Sequence, residues 1–182
     1  MASEPDASIP ASRTVHDVAL LRAEPAQRLL IAQLLQLYLH DFSQRLPRDS
    51  PWGEVSEAGL FAYPPGLDGY WQEPDRIPYL IRADGRVAGF VLLHAWSALD
   101  LPVDHAVAEF FVMRKYHRVG VGTRAAHLAI RRHPGRWEAA VSRFNPDALP
   151  FWRRTVAALP PTDLEERAGD GGRTVLRFVV PG

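Results

Sequence analysis

The sequence predicts a single α/β domain built on a mixed sheet, and three observations carry that expectation. Apolar stretches with strand-like alternation are interleaved with segments of helical periodicity. An Asp84-Gly85 pair sits between two apolar runs, as a hairpin turn would. A third apolar run, from Val107, passes through Gly120 and Gly122 directly into a helical pattern. With 182 residues, 47% of them apolar, the chain is long enough to bury one substantial core and short for two.

Taken in order, residues 1–12 mix Pro, Ser, Ala and acids without an apolar stretch, and read as a flexible tail before a domain spanning 13–182. Residues 14–23 alternate around Val15, Val18 and Leu20 and then meet Pro25, as a strand followed by a helix start would. From 26 to 42, Leu30, Leu34, Leu35, Leu37 and Tyr38 recur at helical spacing. Residues 43–78 break into Pro, Gly, acidic and aromatic residues, including Trp52, Tyr63, Tyr70 and Trp71. An irregular stretch of that length is usually functional or holds short helices of its own. Residues 79–82 and 87–96 then form an antiparallel pair, because both central residues of the favoured two-residue turn need positive φ. A strand at 106–113, a helix at 122–132, a strand at 137–141 and a helix at 150–159 follow. A last strand at 174–180 comes after the turn-rich 169–172, and no internal repeat is present.

Composition excludes several classes of function. Acidic and basic residues balance at 21 each, so no global field draws nucleic acid or anionic membrane to the chain. With no cysteine, thiolate metal sites, disulfides and thiol catalysis are all absent. No apolar run approaches the roughly 20 residues needed to span a bilayer. The seven histidines lack the spacing of a metal ligand set, and the tryptophans lack the basic alternation of single-strand readers. The expectation is a soluble, cytoplasmic protein with no metal, no nucleic-acid partner and no membrane; a homodimer stays open.

The informative stretch is VAEFFVMRKYHRVGVGTRAAHLAIRRH, residues 107–133. A strand turning through glycines into a helix start aims unpaired backbone N–H groups at one point, where an anion can sit. Arg114, Lys115, His117, Arg118 and Arg124 crowd that turn in an otherwise neutral chain. Neither a GxxxxGKS/T nor a GxGxxG signature is present, so the P-loop and dinucleotide readings lack their residues.

The segment VMRKYHRVGVGTRAA resembles the acyl-CoA binding motif R/QxxGxG/A of the GNAT superfamily of N-acyltransferases, and the element order is similar to that fold from Thr14 to Val180. The resemblance implies a mostly antiparallel mixed sheet of about six or seven strands flanked by helices. It also implies acetyl-CoA as co-substrate, its pyrophosphate received by backbone N–H groups of Arg118, Val119, Gly120, Val121, Gly122 and Thr123, with Arg118 as the side-chain contact. His117 stands where the family carries Arg or Gln. Phe111, Val112 and Met113 would pair their backbone with the pantetheine amides as an extra strand does.

Transfer of an acetyl group to nitrogen needs a base, because a protonated amine is not nucleophilic. Glu109 interrupts the apolar strand, and desolvation there would raise its pKa toward a useful range; its position resembles the acidic residue on the fourth strand of many GNAT enzymes. A strand-edge glutamate facing solvent is the competing reading. Asn145 to Trp152 resembles the family's NxxAxxFY pattern, which implies CoA contacts for both, with Trp152 in place of the tyrosine. Indole is no proton acid near neutral pH, so a general acid is missing at that place. Asn145 also reads as a helix N-cap.

In the GNAT fold the acceptor wall comes from the first helices and their loops, here residues 43–78 with the end of the first helix. Tyr38, Asp41, Tyr70 and Trp71 are the candidate acceptor contacts, in an acidic and aromatic stretch that suits a cationic amine of a small molecule or peptide. The implied activity is N-acetyl transfer by direct attack in a ternary complex; the alternative is a non-catalytic acyl-CoA-binding sensor or interaction module.

Overall fold

Apolar residues alternate between two faces along the strands of residues 77–94, and that alternation builds a sheet covered on both sides there. The computed structural model describes residues 14–160 and 162–182; the tail expected at 1–12 lies outside the described residues. The strands are β1 (Val18–Arg22), β2 (Ile77–Ala83), β3 (Arg86–His94), β4 (His105–Val112), β5 (Gly135–Val141), β6 (Thr162–Gly169) and β7 (Arg173–Val180). They form one sheet of order β1-β2-β3-β4-β5-β7-β6. Every neighbouring pair is antiparallel except β4 and β5, which run parallel because α2 crosses between them.

Helix α1 (Arg28–Ser43) buries Ile31, Leu34 and Leu35 against Leu80, Phe90, Leu92 and Phe111 on one face. On the other face α2 (Val121–Arg132) and α3 (Ala148–Ala157) cover Val91, Leu93, Trp137, Ala139, Leu176 and Phe178. The apolar stripe of α2 is mostly small, with Ala125, Ala126 and Ala129 between Val121 and Ile130, and this lets it lie close to the strands. The β2–β3 turn is the one the sequence predicts: Asp84 and Gly85 have φ of 47° and 74°. The Asp84 carboxylate accepts the N–H groups of His16 and Asp17, and so holds the chain entering β1.

Two elements differ from expectation. Helix α3 begins at Ala148 rather than 150, with Pro150 inside its first turn, where its missing N–H has no partner to lose. Strand β6 carries no apolar alternation, since it is an edge strand paired only with β7 and exposed along most of its length. Residues 43–78 hold one turn of 3₁₀ helix, Asp68–Trp71, and a single bridge between Val55 and Phe61. Among the described residues no helix is long and apolar enough to cross a membrane, and no group of three or more His, Asp or Glu could hold a metal ion.

Polar burial is concentrated at Glu138 on β5, 1% exposed. Its carboxylate takes Arg177 from β7 (2.7 Å), the Ser97 hydroxyl (2.7 Å) and the Ala98 N–H (2.8 Å), anchoring the β3–β4 loop onto the sheet. Removing one member of such a set strands the other charge, and Glu138→Ala is expected to cost roughly 3 kcal/mol. Gly89 is a second fixed point: a Cβ there would stand 1.9 Å from the Phe111 carbonyl oxygen. Gly89→Ala must therefore push β3 off β4 and is expected to cost about 2–3 kcal/mol. Urea denaturation checks both, as a lowered midpoint at unchanged m.

Candidate functional site

Strands β4 and β5 pair over three positions only: His105 with Trp137, Ala106 with Glu138, and Val107 with Ala139. One end is clamped by Asp104, whose N–H donates to the Arg136 carbonyl (2.9 Å) and whose carboxylate takes the Arg136 N–H (2.8 Å) and its guanidinium (3.0 and 3.1 Å). Those hydrogen bonds from Arg136 hold the Asp104 carboxyl at a pKa of about 2. Beyond Val107 the strands part, β4 continuing with β3 and β5 with β7. A wedge opens between them.

The backbone of β4 lines this wedge unequally. Met113 N–H donates to the Ala88 carbonyl (2.8 Å), and the Phe111 carbonyl faces Gly89, so both residues direct their backbone groups to β3. By strand alternation, the groups of Phe110 and Val112 point into the wedge. The Val112 carbonyl is already taken, by Nε2 of His117 at 2.6 Å, which requires the proton on that nitrogen. His117 thus fastens the turn to the strand end. Phe110 was not among the residues singled out from the sequence; only the pairing register reveals it.

The turn itself is a concave backbone. After one 3₁₀ turn at Arg114–Tyr116, Arg118 adopts φ 61° and Gly120 φ 82° before α2 starts at Val121. Nothing stands within 4 Å of where a Gly120 Cβ would be, so the surface over the turn is open. The first N–H groups of α2 have no intrahelical carbonyl, and those of Val121, Gly122 and Thr123 face outward with the positive end of the helix dipole. The surrounding cations are mostly committed elsewhere. Arg124 holds the Val15 and His16 carbonyls (3.2 and 2.9 Å), and Arg114 binds Asp41 with two nitrogens (3.2 and 3.0 Å). Arg118 has no such partner among the described residues.

Glu109 points to the α1 face of the sheet, where Tyr38, Tyr63 and Tyr70 converge on it. Burial pushes its pKa above the ordinary carboxylate value, while hydrogen bonds from Tyr38 and Tyr63 and the field of Arg173 pull it part of the way back. Burial, and then the charge on Glu109, raises the pKa of all three tyrosines, so each keeps its hydroxyl proton. The Tyr70 hydroxyl donates to the Tyr63 oxygen, because the single Tyr63 proton is on Glu109. The result is a carboxylate in an aromatic cup, held by neutral donors. Tyr63 lies in the irregular segment, whose lack of periodicity gave no means of choosing it over its aromatic neighbours.

The remaining candidates separate. Asp41 is tied to Arg114, and the indole N–H of Trp71 donates to the Ala23 carbonyl (3.0 Å), so neither faces Glu109 with a free polar group. Trp152 is buried, 7% exposed, with its ring edge-on to Phe110 at 5.3 Å. Phe151, half-buried, lies against Gly122 and Phe110 instead. Asn145 is not the helix cap, which is Asp147; it closes a turn onto the Ser142 carbonyl (2.9 Å) beside the wedge. Asp147 bonds Arg45 (3.0 Å), linking the end of α1 to the start of α3.

The fold as a whole is shared with other proteins. The fold is similar to an acetyltransferase from Thermus thermophilus, at 18% identity and a TM-score of 0.56 over 93% of this chain and 100% of that one. It is also similar to a spermidine N-acetyltransferase from Vibrio cholerae, solved with CoA and spermine, at 11% identity and 0.55 over 90% and 94%. An aminoglycoside acetyltransferase in complex with coenzyme A is 12% identical, with a TM-score of 0.59 over 90% of this chain and 95% of that one. No curated protein matches the sequence. The acetyltransferase (GNAT) family model matches residues 31–156, which span most of α1, the wedge, the glycine turn and nearly all of α3, and the chain belongs to that family.

Proposed function

We propose that the protein is an acetyl-CoA-dependent N-acetyltransferase in which an amine is acetylated directly, in a complex holding both substrates. The observation that carries this reading is Glu109, a carboxylate of raised pKa beside the open wedge of a GNAT fold. The wedge fits the co-substrate on its own terms. Phe110 and the Val112 N–H offer strand-like hydrogen bonds to a chain of amides, and the turn at Arg118–Gly122 offers N–H groups to a pyrophosphate. Coenzyme A in two of the structurally similar proteins supports the same assignment. Acetyl-CoA supplies the activated acetyl thioester.

Each residue then has a part that follows from its surroundings. Glu109 takes the proton from the acceptor nitrogen, directly or through one water, and its raised pKa makes it a better base than an exposed glutamate. Tyr38 and Tyr63 orient that carboxylate and stay protonated throughout. Arg118 adds a charge-assisted contact to phosphate. His117 holds the turn against β4 rather than reaching the ligand. With no cysteine in the chain, transfer without an acyl-thiol enzyme intermediate is the consistent route.

Three outcomes are expected. Coenzyme A at 100 times its dissociation constant should add about 2.7 kcal/mol, or roughly 5–10 °C in melting temperature, and Arg118→Ala should weaken its binding about tenfold by calorimetry. Glu109→Gln should retain that binding and lose roughly a hundredfold or more in turnover of amines, measured as CoA release. Binding without turnover of any amine by the unaltered protein would instead mark a sensor. The pH dependence has a definite sign. Activity rises with pH through the Glu109 pKa, above the usual carboxylate range, and that limb disappears in Glu109→Gln. Stability moves the other way: below the ordinary glutamate pKa both states hold the proton, and as pH rises the unfolded chain releases its proton first, so the fold loses stability. Glu109→Gln should therefore match the parent protein near pH 4 and exceed it near roughly pH 8 in urea denaturation.

A further inference from the structure

The acidic wall that would suit a polycation is partly neutralised in the folded chain. Asp41 pairs with Arg114, Asp68 with Arg28 and Glu73 with Arg76. Close enough to act on Glu109 stands a cation, Arg173. On β7, Leu176 and Phe178 enter the core on the α2 and α3 side, so Arg173, Val175 and Arg177 project from the opposite face. That is the face of Glu109 and Tyr38, and also of Glu138, which binds Arg177. Between Glu109 on β4 and Arg173 on β7 the only side chain from β5 on this face beyond the splay is Ala140, small and exposed. It leaves an open floor between the tyrosine cup and the β6–β7 hairpin. Register places Arg173 one step past the Val141–Thr174 pair, level with the open end of the wedge. Among the described residues Arg173 has no ion-pair partner. Its field nonetheless reaches Glu109.

We infer that the acceptor is an amine that also carries a carboxylate, an amino acid in chemical class, with its nitrogen at Glu109 and its carboxylate on Arg173. This rests on the acetyltransferase reading of the same site. The two ends of such a molecule match the charges of Glu109 in the cup and Arg173 on the hairpin, neither of which has an ion-pair partner among the described residues. A guanidinium binds a carboxylate with two parallel hydrogen bonds and fixes its orientation, which aims the nitrogen across the Ala140 floor. A polyamine would bring a second cation toward Arg173 and be repelled.

The test compares each of a panel of amino acids with the primary amine left when its carboxylate is removed, alongside a polyamine, by CoA release from acetyl-CoA. The best amino acid should exceed its decarboxylated counterpart about ten- to hundredfold in kcat/KM, and Arg173→Gln should erase that ratio, mainly through KM, with Arg173→Lys restoring part of it. Because Arg173 also acts on Glu109, a change in kcat is common to both acceptors and cancels in the ratio. Equal or better turnover of the decarboxylated amine or the polyamine, or an Arg173→Gln loss equal for both, overturns the inference while the acetyltransferase reading stands. No turnover of any amine, with CoA still raising the melting temperature, overturns that reading and the inference with it.

Discussion

The parallel pairing of β4 with β5, which lasts three residues and then fails, is the constraint on which the rest of this structure depends. The crossover through α2 requires the two strands to be parallel, and the Asp104–Arg136 clamp fixes their register at one end. Past Val107 the backbone of the inner strand keeps its outward N–H and C=O groups with no neighbouring strand to take them. Unpaired strand groups beside an apolar core are costly unless something occupies them. The glycine turn sits at the open end because α2 must start where β4 stops, so the strand edge and the helix N-terminus lie side by side.

Charge around that wedge is mostly paired. Most carboxylates near it are held by arginines, which ties α1 to the turn through Asp41–Arg114 and to the start of α3 through Arg45–Asp147. These exposed pairs add little stability individually. Glu109 is the exception, held by tyrosine hydroxyls in place of a direct ion pair. A guanidinium in contact would have kept its pKa low and its basicity weak. Neutral donors orient the carboxylate while burial keeps its pKa raised, at a cost to the stability of the fold.

Much of the architecture could be read in residue order because its causes are local. The Asp84-Gly85 turn needs positive φ at adjacent residues, the stripe of α1 needs apolar residues three and four apart, and the strand-glycine-helix passage needs its two glycines. Strand β6 escaped because an exposed edge strand buries neither face and so has no reason to alternate. The candidate site was legible in the same uneven way. Glu109 stood out as a charge within an apolar strand, whereas Tyr63, Phe110 and Arg173 carry no local signal, being brought to the wedge by a long loop, a pairing register and a hairpin.

The sequence by itself determined the fold class, the family resemblance and the position of the glycine turn, since each depends on spacing within about a dozen residues. Only the tertiary structure decided which charges are left over. Whether Asp41 is available to an acceptor depends on Arg114, 73 residues away, and whether Arg173 shares a face with Glu109 depends on the alternation of two strands that never touch. Long-range pairing consumes some of the acids and bases that composition displays, Asp41, Asp104 and Asp147 among them. Which charges stay open to a ligand is therefore a property of the fold, because their partners are distant in the chain.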